Sequence, residues 1–124
     1  MNNLVKAIQQ SFDLLDLKKN WDKKGASPVN KTAYIKAMEY MLKIMDTIDY
    51  DIKNCEITAC SNGTIDINFH NGNARLSIHI NDYAISYEGT GHHKDDQIKT
   101  INNTGGYLNT EVIDWLNRNC KKSA

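Results

Sequence analysis

Residues 54–88 decide the fold: NCEITAC-SNG-TIDINFH-NG-NARLSIHI-ND-YAISYE. Each of the four longer runs alternates apolar with polar side chains, the period of a strand with one dry face and one wet face. Each break carries Asn, Asp or Gly, the residues that accept tight-turn dihedrals. A three-residue loop Ser61-Asn62-Gly63 sets Ile57 against Ile67, Ala59 against Ile65 and Cys55 against Phe69, with Gly63 at the left-handed last position. A two-residue Asn62-Gly63 turn would set Ile67 against Thr58 and mix the faces. With Asn71-Gly72 as the next turn, Ile67 faces Leu76 and Ile65 faces Ile78. Asn68–Arg75, Asp66–Ser77 and Thr64–His79 then pair on the other side. With Asn81-Asp82 as the third turn, Ile78 faces Ile85, Leu76 faces Tyr87 and Arg75 faces Glu88. The result is a four-stranded antiparallel meander with one apolar face, which needs a cover.

The N-terminal third supplies the cover. Leu4, Ile8, Phe12 and Leu15 recur at helical spacing over residues 4–18. A connector from Asn20 to Asn30 holds Gly25 and the chain's one proline, Pro28. A second helix spans about 31–48, capped by Asn30, with Ser27 and Pro28 as the competing start. Its stripe is Tyr34, Ala37, Met38, Met41, Ile44, Met45 and Ile48, and its methionines read as core filler. Residues 89–96 read as a loop and 97–101 as a fifth, short edge strand. Asn102 to Gly106 is a further turn cluster. A short helix over 110–120, capped by Asn109, turns Val112, Trp115 and Leu116 inward. The expected fold is α+β: two N-terminal helices on one face of a four- or five-stranded antiparallel meander, plus a short C-terminal helix, as one domain over 1–124.

Composition bounds the function. The chain has 124 residues, 40% hydrophobic and 24% charged, inside the range of globular domains. No apolar run nears the ~20 residues a membrane span needs. The N-terminus has no basic segment leading into an apolar one, so no secretory signal is expected. Fifteen basic and fifteen acidic side chains cancel. Residues 1–45 carry eight Lys against four Asp/Glu, and residues 46–124 carry seven Lys/Arg against eleven Asp/Glu. The basic excess centres on Lys18, Lys19, Lys23, Lys24 and Lys31. That patch is a candidate contact for nucleic acid or for an acidic protein surface, and nucleic-acid contact through Lys18–Lys31 is a further functional alternative, although a dedicated duplex binder usually carries an overall positive balance that this chain lacks. Cys55, Cys60 and Cys120 are odd in number and form no Cys-x-x-Cys pair. Cys55 and Cys60, five apart on one strand, point to opposite faces and cannot bridge. Reduced thiols in the cytoplasm are the expectation.

Several chemistries fail on spacing. His70 and His79 fall at opposite ends of a hairpin's polar face, ~20 Å apart at ~3.3 Å per residue, too far for one ion. His92-His93-Lys94-Asp95-Asp96 lacks a ligand spacing. Gly89-Thr90-Gly91 lacks the ending of a phosphate loop. No cofactor or metal is expected. An acid/base site on the sheet face, with His79 as base, or one in the 89–96 loop using His92 or His93, is the enzymatic alternative. What remains is the polar face as a binding surface: Asp66, Asn68, His70, Arg75, Ser77, His79, Ser86 and Glu88, with Tyr83 and Tyr107 near turns as aromatic anchors.

The connector Asn20-Trp21-Asp22-Lys23-Lys24-Gly25-Ala26-Ser27-Pro28 resembles one found in a widespread group of small, mostly uncharacterised bacterial proteins. Those carry Asn-Trp-Asp-x-x-Gly-Ala-x-Pro between two helices, then a Gly-x-Ile-x-Ile-x-Phe/Trp strand and a second alternating strand. Here the later parts are Gly63 to Phe69 and Leu76 to Ile80, so the resemblance spans about residues 12–88. Lys23-Lys24 stand where the group has Gly-Tyr, and Asn68-Phe69 where it often has Glu-Trp. The resemblance implies architecture rather than an activity. Physically, Trp21 is expected to bury its ring where helices meet sheet, Asp22 to accept turn N–H groups, and Gly25 to take a left-handed conformation.

The functional expectation is a non-enzymatic protein-binding module that acts by surface occlusion. A phage- or mobile-element-type inhibitor of a host nuclease or defence complex, anti-CRISPR-like, is its concrete form. A homodimer through an open sheet edge is a further expectation.

Overall fold

The computed structural model describes residues 3–103 and 108–121. Helix α1 spans Asn3–Ser11 and runs into a 3-10 helix at Phe12–Asp16. Helix α2 spans Lys31–Thr47. Strands β1 (Cys55–Ala59), β2 (Ile65–Asn71), β3 (Ala74–Ile80), β4 (Ile85–Thr90) and β5 (Ile98–Asn103) follow, with a 3-10 turn at Lys94–Asp96 before β5. Helix α3 spans Thr110–Asn119. The strands form one antiparallel sheet in the order β1-β2-β3-β4-β5, so β1 and β5 are its edges. The fifth strand is real and longer than expected, and it joins β4 through an irregularity between Ile85 and Tyr87.

Among the described side chains, the apolar strand positions face one side. Ile57, Ile65, Ile67, Phe69, Leu76, Ile78, Ile80, Ile85, Tyr87 and Ile98 are buried in one cluster with residues of all three helices. Helix α1 lies against β1, α2 against β2 and β3, and α3 against β5. Helix α2 buries Tyr34, Ala37, Met41 and Ile44 from the expected stripe, with Met38 and Met45 at its margin. It also buries Tyr40, which the stripe omitted. Asn30 caps it, its side chain accepting the Ala33 N–H at 2.9 Å.

The first helix is shorter than the apolar spacing suggests. The Ser11 hydroxyl donates to the Ile8 carbonyl at 2.6 Å and meets the Tyr34 hydroxyl at 2.8 Å. Beyond it the backbone tightens to three residues per turn, which rotates later side chains off the helical stripe. Phe12 and Leu15 are therefore exposed, at 55% and 48%, where burial was expected.

The turns correct the register. The Ser61–Gly63 loop is as read, with Gly63 at φ 89° and the expected pairs Cys55–Phe69, Ile57–Ile67 and Ala59–Ile65. The second turn uses Gly72-Asn73 instead, between paired Asn71 and Ala74. Gly72, at φ 61°, takes the first central position, where a type II′ hairpin wants glycine. The third connection is a four-residue loop, Asn81–Ala84, before the Ile80–Ile85 pair. The Asn81 side chain closes it by accepting N–H bonds from Tyr83 (3.0 Å) and Ala84 (2.7 Å). Both changes slide the pairing by two residues, which leaves every side chain on its expected face.

Candidate functional site

The helices cover one side of the sheet and leave the other open. Three transverse rows cross the open face. One is Thr58–Asp66–His79–Ser86, the next is Glu56–Asn68–Ser77–Glu88–Lys99, and the third is His70–Arg75–Thr90. Asp66, Asn68, His70, Arg75, Ser77, His79 and Glu88 thus share one surface, as expected. Their partners differ from the expected ones. Arg75 faces His70 and Thr90 rather than Asn68 and Glu88, and His79 faces Asp66 rather than Thr64.

These partners make a hydrogen-bonded network. His79 Nδ1 lies 2.7 Å from Asp66 Oδ1, and His79 Nε2 lies 3.7 Å from Glu88 Oε1. Ser77 donates to Asn68 Oδ1 at 2.9 Å, and Asn68 Nδ2 reaches Thr58 Oγ1 at 3.4 Å. A depression of about 580 Å³ lies between Arg75, Ser77, Glu88, Thr90, Gln97 and Lys99. A second, of about 410 Å³, is lined by Asn62, Thr64, Asp66, His79, Asn81 and Ser86, with Cys60. Burial pushes the Cys60 thiol pKa up; the Thr64 hydroxyl opposes this, and the Asp66 charge adds to the rise. The sequence reading missed the Asp66–His79 bond because Thr64 and Asp66 lie on the same face. The preference of glycine for the first central position of a type II′ turn, which favours Gly72-Asn73 over Asn71-Gly72, was the signal that could have revealed it.

His70 and His79 stand four ladder positions apart, roughly 13 Å at ~3.3 Å per residue, closer than the expected spacing. Among the described residues, no group of three or more His, Cys, Asp or Glu side chains could hold a metal ion. His92 and His93 serve a structural clasp. Their N–H groups donate to Asn119 Oδ1 (3.0 Å) and Asp96 Oδ2 (3.2 Å). The buried Asp96 also takes Arg118 Nε at 3.1 Å, which ties α3 to the segment before β5. A Cβ on Gly91 would stand 2.2 Å from Asp96 Cβ, so only glycine fits the clasp.

The connector folds into a closed loop. Asn20 N–H donates to the Ala26 carbonyl at 2.6 Å, and Gly25 N–H to Asn20 Oδ1 at 2.7 Å. Asp22 accepts the N–H groups of Lys24 (2.8 Å) and Ala26 (3.0 Å), as expected. Gly25 is left-handed at φ 85°. Trp21 is half-buried rather than sunk in the core, its Nε1–H donating to the Ser27 carbonyl at 2.8 Å. Ser27 and Asn30 donate their N–H groups to Ser61 (2.7 Å) and Gly63 (2.8 Å), which docks the connector on the first hairpin. Lys18, Lys19, Lys23, Lys24 and Lys31 are all exposed. Tyr83 is 66% exposed at its turn, and Tyr107 lies outside the described residues.

Cys55, Cys60 and Cys120 are unbridged. Burial raises the Cys55 thiol to about 12 and the Cys120 thiol to about 11. No helix among the described residues is long and apolar enough to cross a membrane. Comparison with family models, curated proteins and solved structures found no match.

Proposed function

We propose that this chain is a protein-binding module whose open sheet face occupies a partner's surface. The observation that carries the reading is the asymmetry of the sheet. All three helices lie on one side, and the other presents short polar side chains already hydrogen-bonded across strands. A network ordered before binding loses little conformational freedom on contact, which favours affinity. The face mixes Glu56, Asp66 and Glu88 with Arg75 and Lys99, a pattern suited to a mixed-charge protein surface rather than a polyanion. An inhibitor of a nuclease or defence complex is the form of this proposal in which the occluded surface belongs to such a complex. The edges β1 and β5 are where a second copy would add.

The test is affinity capture from the native host, followed by titration of the purified partner. Arginine at both Asn68 and Ser77, in the centre of the face, is expected to weaken binding at least a hundredfold. Lys23→Glu with Lys24→Glu is expected to leave it nearly unchanged. The reverse pattern moves the contact to the connector. Steep loss of duplex binding with salt would instead assign that patch to nucleic acid.

A further inference from the structure

The row Asp66–His79–Ser86 has features that a recognition surface does not need. We infer that it is an acyl-transfer site in which Ser86 is the nucleophile toward short-chain carboxylic esters. This goes beyond partner binding and does not depend on it.

An ionised carboxylate only accepts hydrogen bonds, so the 2.7 Å contact from Asp66 Oδ1 places the imidazole proton on His79 Nδ1. Nε2 is then the basic nitrogen. It is turned toward β4, where it lies 3.7 Å from Glu88 Oε1. Ser86 is two residues from Glu88 on that strand, on the same face, and directly opposite His79 in the ladder. Opposed side chains in an antiparallel pair have Cβ atoms about 5 Å apart, within reach of a serine–histidine contact. The Ser86 hydroxyl makes no hydrogen bond among the described residues, neither to His79 nor to a competing group, so the serine–histidine contact closes by side-chain rotation when substrate binds.

The same depression supplies donors for a developing oxyanion. Asn62 Oδ1 accepts from the Thr64 N–H (3.2 Å) and hydroxyl (2.7 Å). Asn81 Oδ1 accepts from the Tyr83 and Ala84 N–H groups. Each amide oxygen is engaged in its own turn, which leaves the two NH2 groups to donate. Fixed side-chain amides of this kind stabilise tetrahedral intermediates. Cys60 lines the depression too. Burial, with the adjacent Asp66 charge adding to it, disfavours its thiolate, which leaves the hydroxyl of Ser86 as the nucleophile.

The reaction balances without a further reagent. Ser86 Oγ attacks the ester carbonyl carbon and its proton passes to His79 Nε2. The carbonyl–alkoxide bond breaks and the proton leaves with the alcohol. Water then adds to the acyl-serine with His79 as base, releasing the acid and restoring the hydroxyl. Asp66 is a positioning residue throughout.

The intact chain is incubated with an alkyl fluorophosphonate. A serine–phosphorus bond forms, the P–F bond breaks, and the proton and fluoride leave. Peptide mass spectrometry is expected to find one adduct, on Ser86. Its rate should fall at least ~100-fold in His79→Ala. Asp66→Asn should slow it about tenfold and remove the low-field imidazole N–H resonance. With p-nitrophenyl acetate, the acetyl group should appear on Ser86. No adduct, an adduct elsewhere, or His79→Ala labelling at the unaltered rate overturns the proposal. Should His79→Ala unfold, His79→Gln and the adduct position in the unaltered chain still decide. The adduct is read on the isolated chain and needs no partner, whereas capture is read without the fluorophosphonate, so this proposal and the binding proposal fail separately.

Discussion

Ile67 and Asn68 are neighbours on β2, yet they sit in different solvents. Ile67 is fully buried under the helices, whereas Asn68 is part-exposed and held by Ser77 and Thr58. The two faces differ in more than polarity. On the apolar face, Ile, Leu, Phe and Tyr are nearly interchangeable as cross-strand partners, so any even slide of the register buries about the same area. On the polar face each slide changes the chemistry. A shift of two exchanges Thr64 for Asp66 opposite His79, and brings Ser86 rather than Ala84 to its other side. The dry face therefore specifies which side is in, and the turns specify which polar groups meet.

That contrast orders the expected effects. Ile67→Ala should cost about 3–4 kcal/mol in urea unfolding, because it removes buried carbon from a sheet face packed against α2. Gly63→Ala should cost about 2 kcal/mol, since its left-handed backbone strains any L side chain. The new Cβ would also stand 2.9 Å from the Pro28 carbonyl. Gly72→Ala, whose nearest neighbour is His92 Cε1 at 3.7 Å, should cost less in the same assay. Trp21→Ala should cost about 1–2 kcal/mol, the loss of one hydrogen bond and a half-buried ring. Asn68→Ala should change stability by less than about 0.5 kcal/mol. A stability loss at Asn68 equal to that at Ile67 would erase the distinction between the faces.

Alkaline pH probes the dry side. Burial raises Cys55 from 9.0 to about 12 and Cys120 from 9.0 to about 11. The neutral thiols are favoured in the folded state, so their contribution is fully present below pH 9. It declines as pH rises through the folded values. The melting temperature should fall between pH 9 and 12 by more than in Cys55→Ala, where one of these groups is gone. At pH 8 a disulfide reagent should modify Cys60 before either of the others.

Much of the architecture was legible because it rests on local rules. Strand phasing, the Asn30 cap, the Gly63 loop and the inward set Val112, Trp115 and Leu116 all follow from spacing and turn chemistry. Three features were not legible. The end of α1 depends on Ser11 meeting Tyr34, a contact between distant residues. The clasp of Asp96, Arg118, Asn119 and Gly91 joins α3 to a loop that composition marks only as irregular. The Asp66–His79 pair hinged on one residue of turn placement, where Asn71-Gly72 and Gly72-Asn73 both satisfy the hydrophobic pattern.

The sheet pairs each strand only with its neighbour in the chain, whereas the bonds from Ser27 to Ser61 and from Asn30 to Gly63 span more than thirty residues. Short-range ladders close small loops and form quickly; distant contacts wait for larger loops to close. The hairpins should therefore zip before the connector latches onto the first of them. Loss of that latch is expected to speed unfolding while leaving the refolding rate nearly unchanged.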